Sequence, residues 1–404
     1  MNQWEGERIG EILVQWGAER CASWTDADCI IVNGCTVTGR SEAKVRSALR
    51  RFERGCPGAV LVLTGCGAEE IVKGEGWAQV KACSQEDKET LPQKVWTWMG
   101  EGGREPIVPT LGSLSFRDRA RAWVKVQDGC DALCAYCRIP LARPTMRSRP
   151  ERDILRELEA LEKRDKREVV LCGIRLGAYG KDWGKGTALA DLVQAAAGVF
   201  GGRIRLSSLE PMDVQEKMLE RLSAVDRLCR QLHFPAQSGD DDVLRSMNRR
   251  YTVRELVNLI ERARAIWPDL GLTTDMISGF PGETKAAHQR SLELVERLIP
   301  HRVHVFPFSP RPGTAACTMA STLSISERTA RARELREKSR EVGDQWRTER
   351  VGTEVEVLWE SRRKEGWIGR TSQDVPVSTS CARTKNILVW ERVIGLDGRG
   401  GWRV

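Results

Sequence analysis

Three cysteines stand close together in the run Gly129-Cys130-Asp131-Ala132-Leu133-Cys134-Ala135-Tyr136-Cys137, a C-x3-C-x2-C spacing. Three thiolates on one short loop can wrap one face of an iron–sulfur cube and leave its fourth iron without a protein ligand. An iron with an open position can chelate the amino and carboxylate groups of S-adenosylmethionine. An electron from the cluster then cleaves the sulfonium and yields a carbon radical. The alternative chemistry is a zinc knuckle or a set of buried thiols. Zinc usually closes with four ligands, often as two C-x2-C pairs, and no fourth Cys or His lies nearby in sequence.

The composition bounds what can surround this loop. The chain has 404 residues, enough for two or three domains. Hydrophobic residues make up 41% and charged residues 30%, which excludes wholesale disorder. The count of 13 cysteines is odd and high for so long a chain, and Met1–Gly10 has no signal-peptide core, so a reducing cytoplasm is expected. With only 4 histidines, thiolates must do most of any metal binding. The net charge of +8 permits a polyanionic partner. The longest apolar runs, Ala59–Leu63 and Val169–Cys172, fall far short of the ~20 residues of a membrane helix.

The elements that must position the cysteines read as α/β. Up to about Met99, two apolar runs, Asp28–Val32 and Ala59–Leu63, each lead into a cysteine, Cys35 and Cys66, through a glycine. Gly100–Ser113 is rich in Gly and Pro and reads as a linker. Strands are then predicted over Trp123–Gln127, Glu168–Gly173, Arg203–Ser208, Gln231–Pro235, Gly271–Ser278 and Arg302–Phe308, with helices such as Glu151–Lys163 and Thr284–Leu298 between them. Six βα units in succession predict a barrel or partial barrel. Ser326–Arg350 reads as a charged helix with little apolar periodicity beyond Leu335. Short strands follow, Glu354–Trp359, Trp367–Arg370, Val375–Val377 and Ile387–Val393, as in a small β-barrel of the oligonucleotide-binding sort.

The cysteine motif at the end of the first barrel strand, with Tyr136 before its last Cys, resembles the radical S-adenosylmethionine superfamily. The neighbouring residues are similar to those of its methylthiotransferases: Ile139-Pro140, Ala142-Arg143, Arg147-Ser148-Arg149-Pro150, Gly173-Ile174-Arg175-Leu176-Gly177-Ala178-Tyr179-Gly180 and Ser207-Ser208-Leu209-Glu210-Pro211. So are Gln237-Ser238-Gly239, Met247-Asn248-Arg249-Arg250-Tyr251-Thr252 and the run from Asp275 through Gly279, Gly282 and Glu283 to Thr284. The likeness runs in order along nearly the whole chain. Within the family, the Arg-Ser-Arg-Pro run and the Gly-Ile-x-Leu-Gly-x-Tyr-Gly motif resemble the branch that methylthiolates threonylcarbamoyladenosine at tRNA position 37.

That resemblance implies an α/β N-terminal methylthiotransferase domain over 1–99, a linker over 100–116, a partial (βα)6 radical barrel over 117–340 and a TRAM-like β-barrel RNA-binding module over 341–404. It implies S-adenosylmethionine and a 4Fe-4S cluster on Cys130, Cys134 and Cys137. The cofactor is expected against Tyr136, Gly173, Gly177, Ser208, Glu210, Gln237, Gly279 and Gly282. Each glycine alone also reads as a turn, and His233 and Gln237 also read as satisfied core groups. A cytoplasmic monomer acting on tRNA, fed by a reductant such as flavodoxin or ferredoxin, is the expectation.

Methylthiotransferases hold a second cluster on three N-terminal cysteines, each at the end of a strand. Cys35 and Cys66 match the second and third; the first belongs just before the residues that match Asn2-Gln3-Trp4-Glu5. The expectation is therefore one stable cluster in the chain as it stands, and a natural start some ten or more residues upstream. Arg138, Arg143, Arg147 and Arg149 read as steering a phosphate backbone or as a solvated face, and Arg249 and Arg250 likewise. In the last module, Lys364, Arg370, Arg383, Lys385 and Arg392 interleave with Trp359, Trp367 and Trp390, which suits RNA, with at least one Trp expected in the module's own core. Cys172 is expected to be buried; Cys21, Cys29, Cys56, Cys83, Cys229, Cys317 and Cys381 show no ligand spacing. The rival readings are methylthiolation of isopentenyladenosine in tRNA, methylthiolation of a ribosomal-protein aspartate, and a non-catalytic RNA-binding zinc protein.

Overall fold

The computed structural model describes residues 2–35, 38–75, 77, 79–100, 119–184, 188–321 and 323–404. Apart from Gly100, the expected linker over 100–116 lies outside them. The chain forms two compact units that do not follow chain order. The first joins the N-terminal residues to Asp128–Met146 and Ser309–Cys317; the second holds Arg147–Phe308 and Thr318–Val404 with the segment that ends at Gln127. The loop carrying Cys130, Cys134 and Cys137 thus belongs to the N-terminal unit.

In that unit, helix α1 (Asn2–Gln15) precedes strand β1 (Cys29–Gly34), followed by α2 (Gly39–Gly55), β2 (Val60–Gly65), α3 (Ala68–Glu75), β3 (Val80–Cys83) and α4 (Leu91–Trp98). The three strands are parallel in the order β1-β2-β3. Alternation along β2 explains why a sheet this small buries both faces: Leu61 and Leu63 join a cluster with Val45, Leu49 and Ile71, while Val62 joins Ile9, Ile12, Leu91 and Val95 on the other side. β3 has no counterpart among the predicted strands. It is four residues long, buried only at its two ends, Val80 and Cys83, and too short for period counting to detect.

The second unit begins with β4 (Arg121–Lys125). It continues through α5 (Glu151–Glu162), β5 (Glu168–Cys172), α6 (Ala188–Val199), β6 (Arg203–Leu206), α7 (Glu216–Ser223), β7 (Gln231–His233), α8 (Asp241–Ser246), α9 (Val253–Ile266), β8 (Gly271–Ser278), α10 (Lys285–Leu298) and β9 (Arg302–Pro307). The six parallel strands fall into two three-stranded sheets, β4-β5-β6 and β9-β8-β7. A single parallel bridge, Ile204 with Leu228, lies beside β6. The six predicted βα units are therefore present as an α/β partial barrel, and all six predicted strand positions are occupied.

The predicted helix after the barrel is α11 (Ile325–Thr348). Its buried face is Ala332, Leu335, Ser339, Val342, Gly343, Trp346 and Arg347, a complete helical stripe. The reading of little periodicity is corrected: small and polar residues fill positions that a hydrophobicity count skips. Ser324 caps this helix, with Glu327 completing a capping box. The last module curls six strands in the order β13-β10-β11-β12-β15-β14, where β10 is Glu354–Arg363, β11 Gly366–Thr371, β12 Pro376–Thr379, β13 Leu388–Arg392, β14 Gly395–Leu396 and β15 Trp402–Arg403. Trp346 of α11 stacks on Trp402 at 5.8 Å, within a core that includes Trp359, Val357 and Val377. The helix thereby supplies part of the module's own core.

The module is also pinned to the amino ends of the barrel strands by charge. Glu168, fully buried, binds Arg203 and Arg205, and those arginines donate onward to the carbonyls of Arg370, Thr371 and Ser372. Burial opposes ionisation of Glu168, but the guanidinium groups of Arg205 and Arg203 outweigh it and hold the carboxyl down at about 2. Among the described residues, no helix is long and apolar enough to cross a membrane.

Candidate active site

Cys130, Cys134 and Cys137 follow β4 in the chain and sit on a loop that two backbone devices close. Gly129 has φ +76°, and a Cβ there would lie 1.9 Å from the carbonyl oxygen of Thr145. The Cys130 amide donates to the Arg143 carbonyl at 3.1 Å, which brings the far end of the loop back to its start. Leu133 takes a left-handed conformation, φ +51°, between the first two cysteines.

The sulfurs are met by amides: Ala132 N–H donates to Cys130 Sγ and Ile139 N–H to Cys137 Sγ, each at 3.4 Å. Amide donors to sulfur are what a thiolate ligand set calls for. All three thiols are half-buried, and no disulfide involves any of the 13 cysteines. Three thiols gathered on one such loop fit a four-iron cluster. The loop is held at Ala135, whose carbonyl accepts from the Ala316 amide at 2.8 Å.

Cys35 and Cys66 come together by strand register. Gly34 pairs with Gly65 at the ends of β1 and β2, so the cysteines that follow are neighbours. Gly65 has φ +106°, and a Cβ there would lie 2.1 Å from the Gly34 carbonyl oxygen. Cys66 is buried and Cys35 half-buried. Beside them lies a buried ionic network that sequence reading missed. Arg143 donates to Glu5 at 2.9 and 3.1 Å and to Asp128 at 2.6 and 2.7 Å, with both Arg143 and Glu5 side chains only 3% exposed. Lys88 donates to Glu5 and, at 2.9 Å, to Asn33 Oδ1.

Burial opposes the charge on both cations. For Lys88 it wins, and the ammonium titrates below its ordinary value despite Glu5. For Arg143 the carboxylates of Glu5 and Asp128 win, and its pKa is raised. The Cys66 sulfur is an electrostatic neighbour of both. Cys83, at the end of β3, turns into the α1–α4 side of the core, and burial pushes its thiol up.

These contacts correct one reading of the arginines. Arg143 is buried in the network, Arg149 is engaged by Glu157 at 2.9 Å and by the Lys125 carbonyl, and Arg138 pairs with Glu70 at 2.7 Å. Arg147 remains exposed. Arg249 is likewise buried against Glu210 and Tyr251, while Arg250 is exposed. The signal available in sequence was Glu5, an acid on the buried face of an amphipathic helix.

In the barrel unit, the predicted cofactor residues lie at or just past the carboxyl ends of strands. Gly173 follows β5 and lies against Gln127, whose Oε1 accepts from the Arg175 amide at 2.8 Å. Gly177 packs on Asp213, which binds Arg175 and Lys181. Ser208 and Glu210 follow β6; Glu210 is engaged by Arg249. The Gln237 amide donates to the Asp275 carbonyl at 2.8 Å, and its carbonyl accepts from Ile277 at 2.9 Å, so Gln237 extends the sheet beyond β7. Gly279 and Gly282 flank the turn after β8, which Glu283 closes by accepting from the Gly279 amide at 3.0 Å. Tyr136 belongs to the cysteine loop of the other unit. Cys172 is buried as expected, and burial pushes its thiol up.

In the last module, Trp359 is fully buried and Trp390 is 69% exposed, with Trp367 packed at the edge of the core. Arg383 pairs with Glu391 at 2.7 Å and lies over the Trp359 ring, and Arg370 pairs with Asp374 at 3.1 Å, whereas Lys364 and Arg392 are exposed.

Residues 124–295 match the Radical SAM superfamily, and residues 1–78 match the uncharacterized protein family UPF0004. The chain is 37% identical over 373 residues to a threonylcarbamoyladenosine tRNA methylthiotransferase of Thermotoga maritima, covering 89% of this chain and 84% of that protein. A Bacillus subtilis protein of the same name is 31% identical, covering 90% and 84%. A tRNA-2-methylthio-N(6)-dimethylallyladenosine synthase of Dehalococcoides mccartyi is 33% identical, covering 92% and 87%. Among solved structures, the radical S-adenosylmethionine methyltransferase TsrM of Kitasatospora setae, with cobalamin and a [4Fe-4S] cluster bound, shares the fold. Its TM-score is 0.53 at 14% identity, over 76% of this chain and 68% of that one.

Proposed function

Because the chain belongs to the methylthiotransferase family of the radical S-adenosylmethionine superfamily, we propose that it replaces the C2–H of N6-threonylcarbamoyladenosine at tRNA position 37 with C2–S–CH3. The observation that carries the reading is the loop on which Cys130, Cys134 and Cys137 gather, with amide donors on two of its sulfurs. Those three cysteines would hold a 4Fe-4S cluster. When bound, the cluster and S-adenosylmethionine supply a carbon-centred radical, the reagent an unactivated C–H bond demands because no acid–base route opens it.

The remaining roles are assigned to this chain's own side chains. Tyr136, Gly173, Gly177, Ser208, Glu210, Gln237, Gly279 and Gly282 take the cofactor. Cys35 and Cys66 would serve the sulfur-donating side of the reaction as two of the three ligands that the family's second cluster takes, a weaker hold than the three-cysteine loop, which carries the one stable cluster. The three-part division into an N-terminal domain over 1–99, a barrel over 117–340 and an RNA-binding module over 341–404 is part of the same reading. In that module Trp390 offers an exposed stacking face and Lys364, Lys385 and Arg392 offer phosphate contacts. A flavodoxin or ferredoxin supplies electrons to a cytoplasmic monomer.

A second reading has a specific observation behind it. The dimethylallyladenosine synthase of Dehalococcoides mccartyi aligns over 92% of the chain. Nucleoside mass spectrometry of tRNA from a strain lacking the gene separates the two. The proposal expects threonylcarbamoyladenosine to accumulate without its methylthio group, and the modification to return on complementation. Loss of the methylthio group from the dimethylallyl nucleoside instead would establish the second reading.

A further inference from the structure

One group of side chains in the barrel uses none of the cysteines and has no part in the function proposed above. β7, β8 and β9 are neighbours in one parallel sheet, with His233 in register with Thr273 and Asp275 in register with His304. Side chains alternate along a strand, so Thr273, Asp275 and Ile277 share one face of β8. On β9, Val303 and Val305 are buried, and the Val303 amide meets Ser339 of α11; His304 therefore points to the other face. His233, Asp275 and His304 thus converge from three adjacent strands.

Their donor atoms all lie within 4.8 Å of one another. His233 Nε2 is 3.4 Å from Asp275 Oδ2, and the two imidazole rings are 6.0 Å apart, tilted by 36°. Ligands bound at about 2.1 Å from a metal sit about 3 Å apart, so the His233–Asp275 pair is already near ligand spacing.

The surroundings are those of an orienting shell. His233 Nδ1 is hydrogen-bonded to Thr273 Oγ1 at 2.8 Å, and Thr273 Oγ1 accepts from Gln231 Nε2 at 3.0 Å. This chain of amide, hydroxyl and imidazole fixes the ring so that Nε2 faces Asp275. Ligating histidines are commonly held in this way through their second nitrogen. The one cation on the same face of β9, Arg302, is paired with Asp374 at 2.7 Å, and the two charges oppose one another at His304. Asp275 is left as the carboxylate facing two imidazoles.

We propose that His233, Asp275 and His304 form a facial two-histidine, one-carboxylate site for a divalent transition-metal ion, with Thr273 and Gln231 as its positioning residues. Such a triad leaves open coordination positions and favours iron, zinc or manganese over calcium or magnesium. No thiol is among its ligands, so its spectrum differs from any metal held by the cysteines.

The test is a Co2+ titration of the full-length protein carrying its iron–sulfur content, with bound cobalt followed by visible absorption against the unloaded protein. The proposal expects cobalt bands that lack the thiolate-to-metal charge-transfer feature. They should be lost in Asp275→Asn and in His304→Phe. In Thr273→Val, which keeps the volume and removes the hydroxyl, affinity should fall about 10- to 100-fold. Circular dichroism of each variant reports folding. If Asp275→Asn fails to fold, His304→Phe and Thr273→Val decide, since the first lies on an edge strand and the second is isosteric. Cobalt bound with thiolate bands alone, no cobalt spectrum at saturation, or wild-type affinity in these variants overturns the proposal.

Discussion

Gly129-Cys130 and Gly65-Cys66 are the same dipeptide used in two ways. In both, the glycine holds a positive φ and a Cβ would strike a carbonyl oxygen, at 1.9 Å from Thr145 and 2.1 Å from Gly34. At Gly129 the oxygen belongs to the same loop, 16 residues on, and its two companion cysteines are supplied within the next few residues. At Gly65 it belongs to a neighbouring strand, and the companion cysteine arrives through the register of β1 on β2. One thiol set is encoded by spacing along the chain, the other by the fold.

The largest expected effect separates the two sets by chemistry. Cys130→Ala, Cys134→Ala and Cys137→Ala should each reduce 5′-deoxyadenosine formation to background, since an incomplete thiolate face cannot hold the cube. Cys35→Ala and Cys66→Ala should leave that activity in place while methylthio product on tRNA falls. Retained cofactor cleavage in any of the first three, measured by chromatography of the products, breaks the assignment.

The glycines sharpen the same contrast without touching sulfur. Gly129→Ala combines a disfavoured φ with a collision against backbone, which only displacement of the loop relieves. It should cost most of the iron bound by the three-cysteine loop and most of the cofactor cleavage. Gly65→Ala forces β1 and β2 apart at their ends and should spare cofactor cleavage. Iron analysis together with the cleavage assay reads both. Equal losses in the two variants would mean that the sites are not separately built.

Arg143 belongs to both regions. Its carbonyl accepts from Cys130, and its guanidinium holds Glu5 and Asp128 beside Cys66. Arg143→Met takes the guanidinium from Asp128 and from Glu5, which then has Lys88 alone; a loss of about 3–5 kcal/mol is the ordinary consequence of breaking such a buried pair. Urea denaturation of the full chain measures it. Adding Glu5→Met together with Lys88→Met should recover most of the loss, because Lys88 leaves with its carboxylate and the cost lies in uncompensated charge rather than in the missing contact. No recovery would move the role of Arg143 to its backbone and stem.

Legibility in the sequence followed the same division. The C-x3-C-x2-C loop, the six barrel strands and the long helix are local patterns, and they stand where spacing and alternation put them. β3 is too short to register as a period, and the buried stripe of α11 is hidden because Ser339, Gly343 and Arg347 occupy core positions. Arg143 and Arg149 read as surface charge because their partners, Glu5 and Glu157, stand outside the post-cluster loop. The His233–Asp275–His304 grouping was equally invisible, since three separate strands supply its members. Gly173, Glu210 and Arg249 all stand in motifs that carry the resemblance, but the contacts of Gly173 with Gln127 and of Glu210 with Arg249 join separate segments and leave no local pattern.

The smallest expected effect concerns Lys88, which ties the Cys66 side of this comparison to β1 through Asn33. Burial lowers its pKa below the ordinary lysine value, with Glu5 opposing the shift only in part. A base whose folded pKa is depressed binds fewer protons in the native state than in the unfolded chain. Between the depressed value and about 10.4, stability contributed by this group therefore rises with pH; below that window it is constant and unfavourable. One proton limits the slope to about 1.4 kcal/mol per pH unit. Lys88→Met keeps the length of the stem and removes the titration, so the difference in unfolding free energy between wild type and variant should shift toward wild type as pH rises from neutrality to 10. A difference that stays flat over that range would place Lys88 at an ordinary pKa and leave Glu5 as the stronger partner.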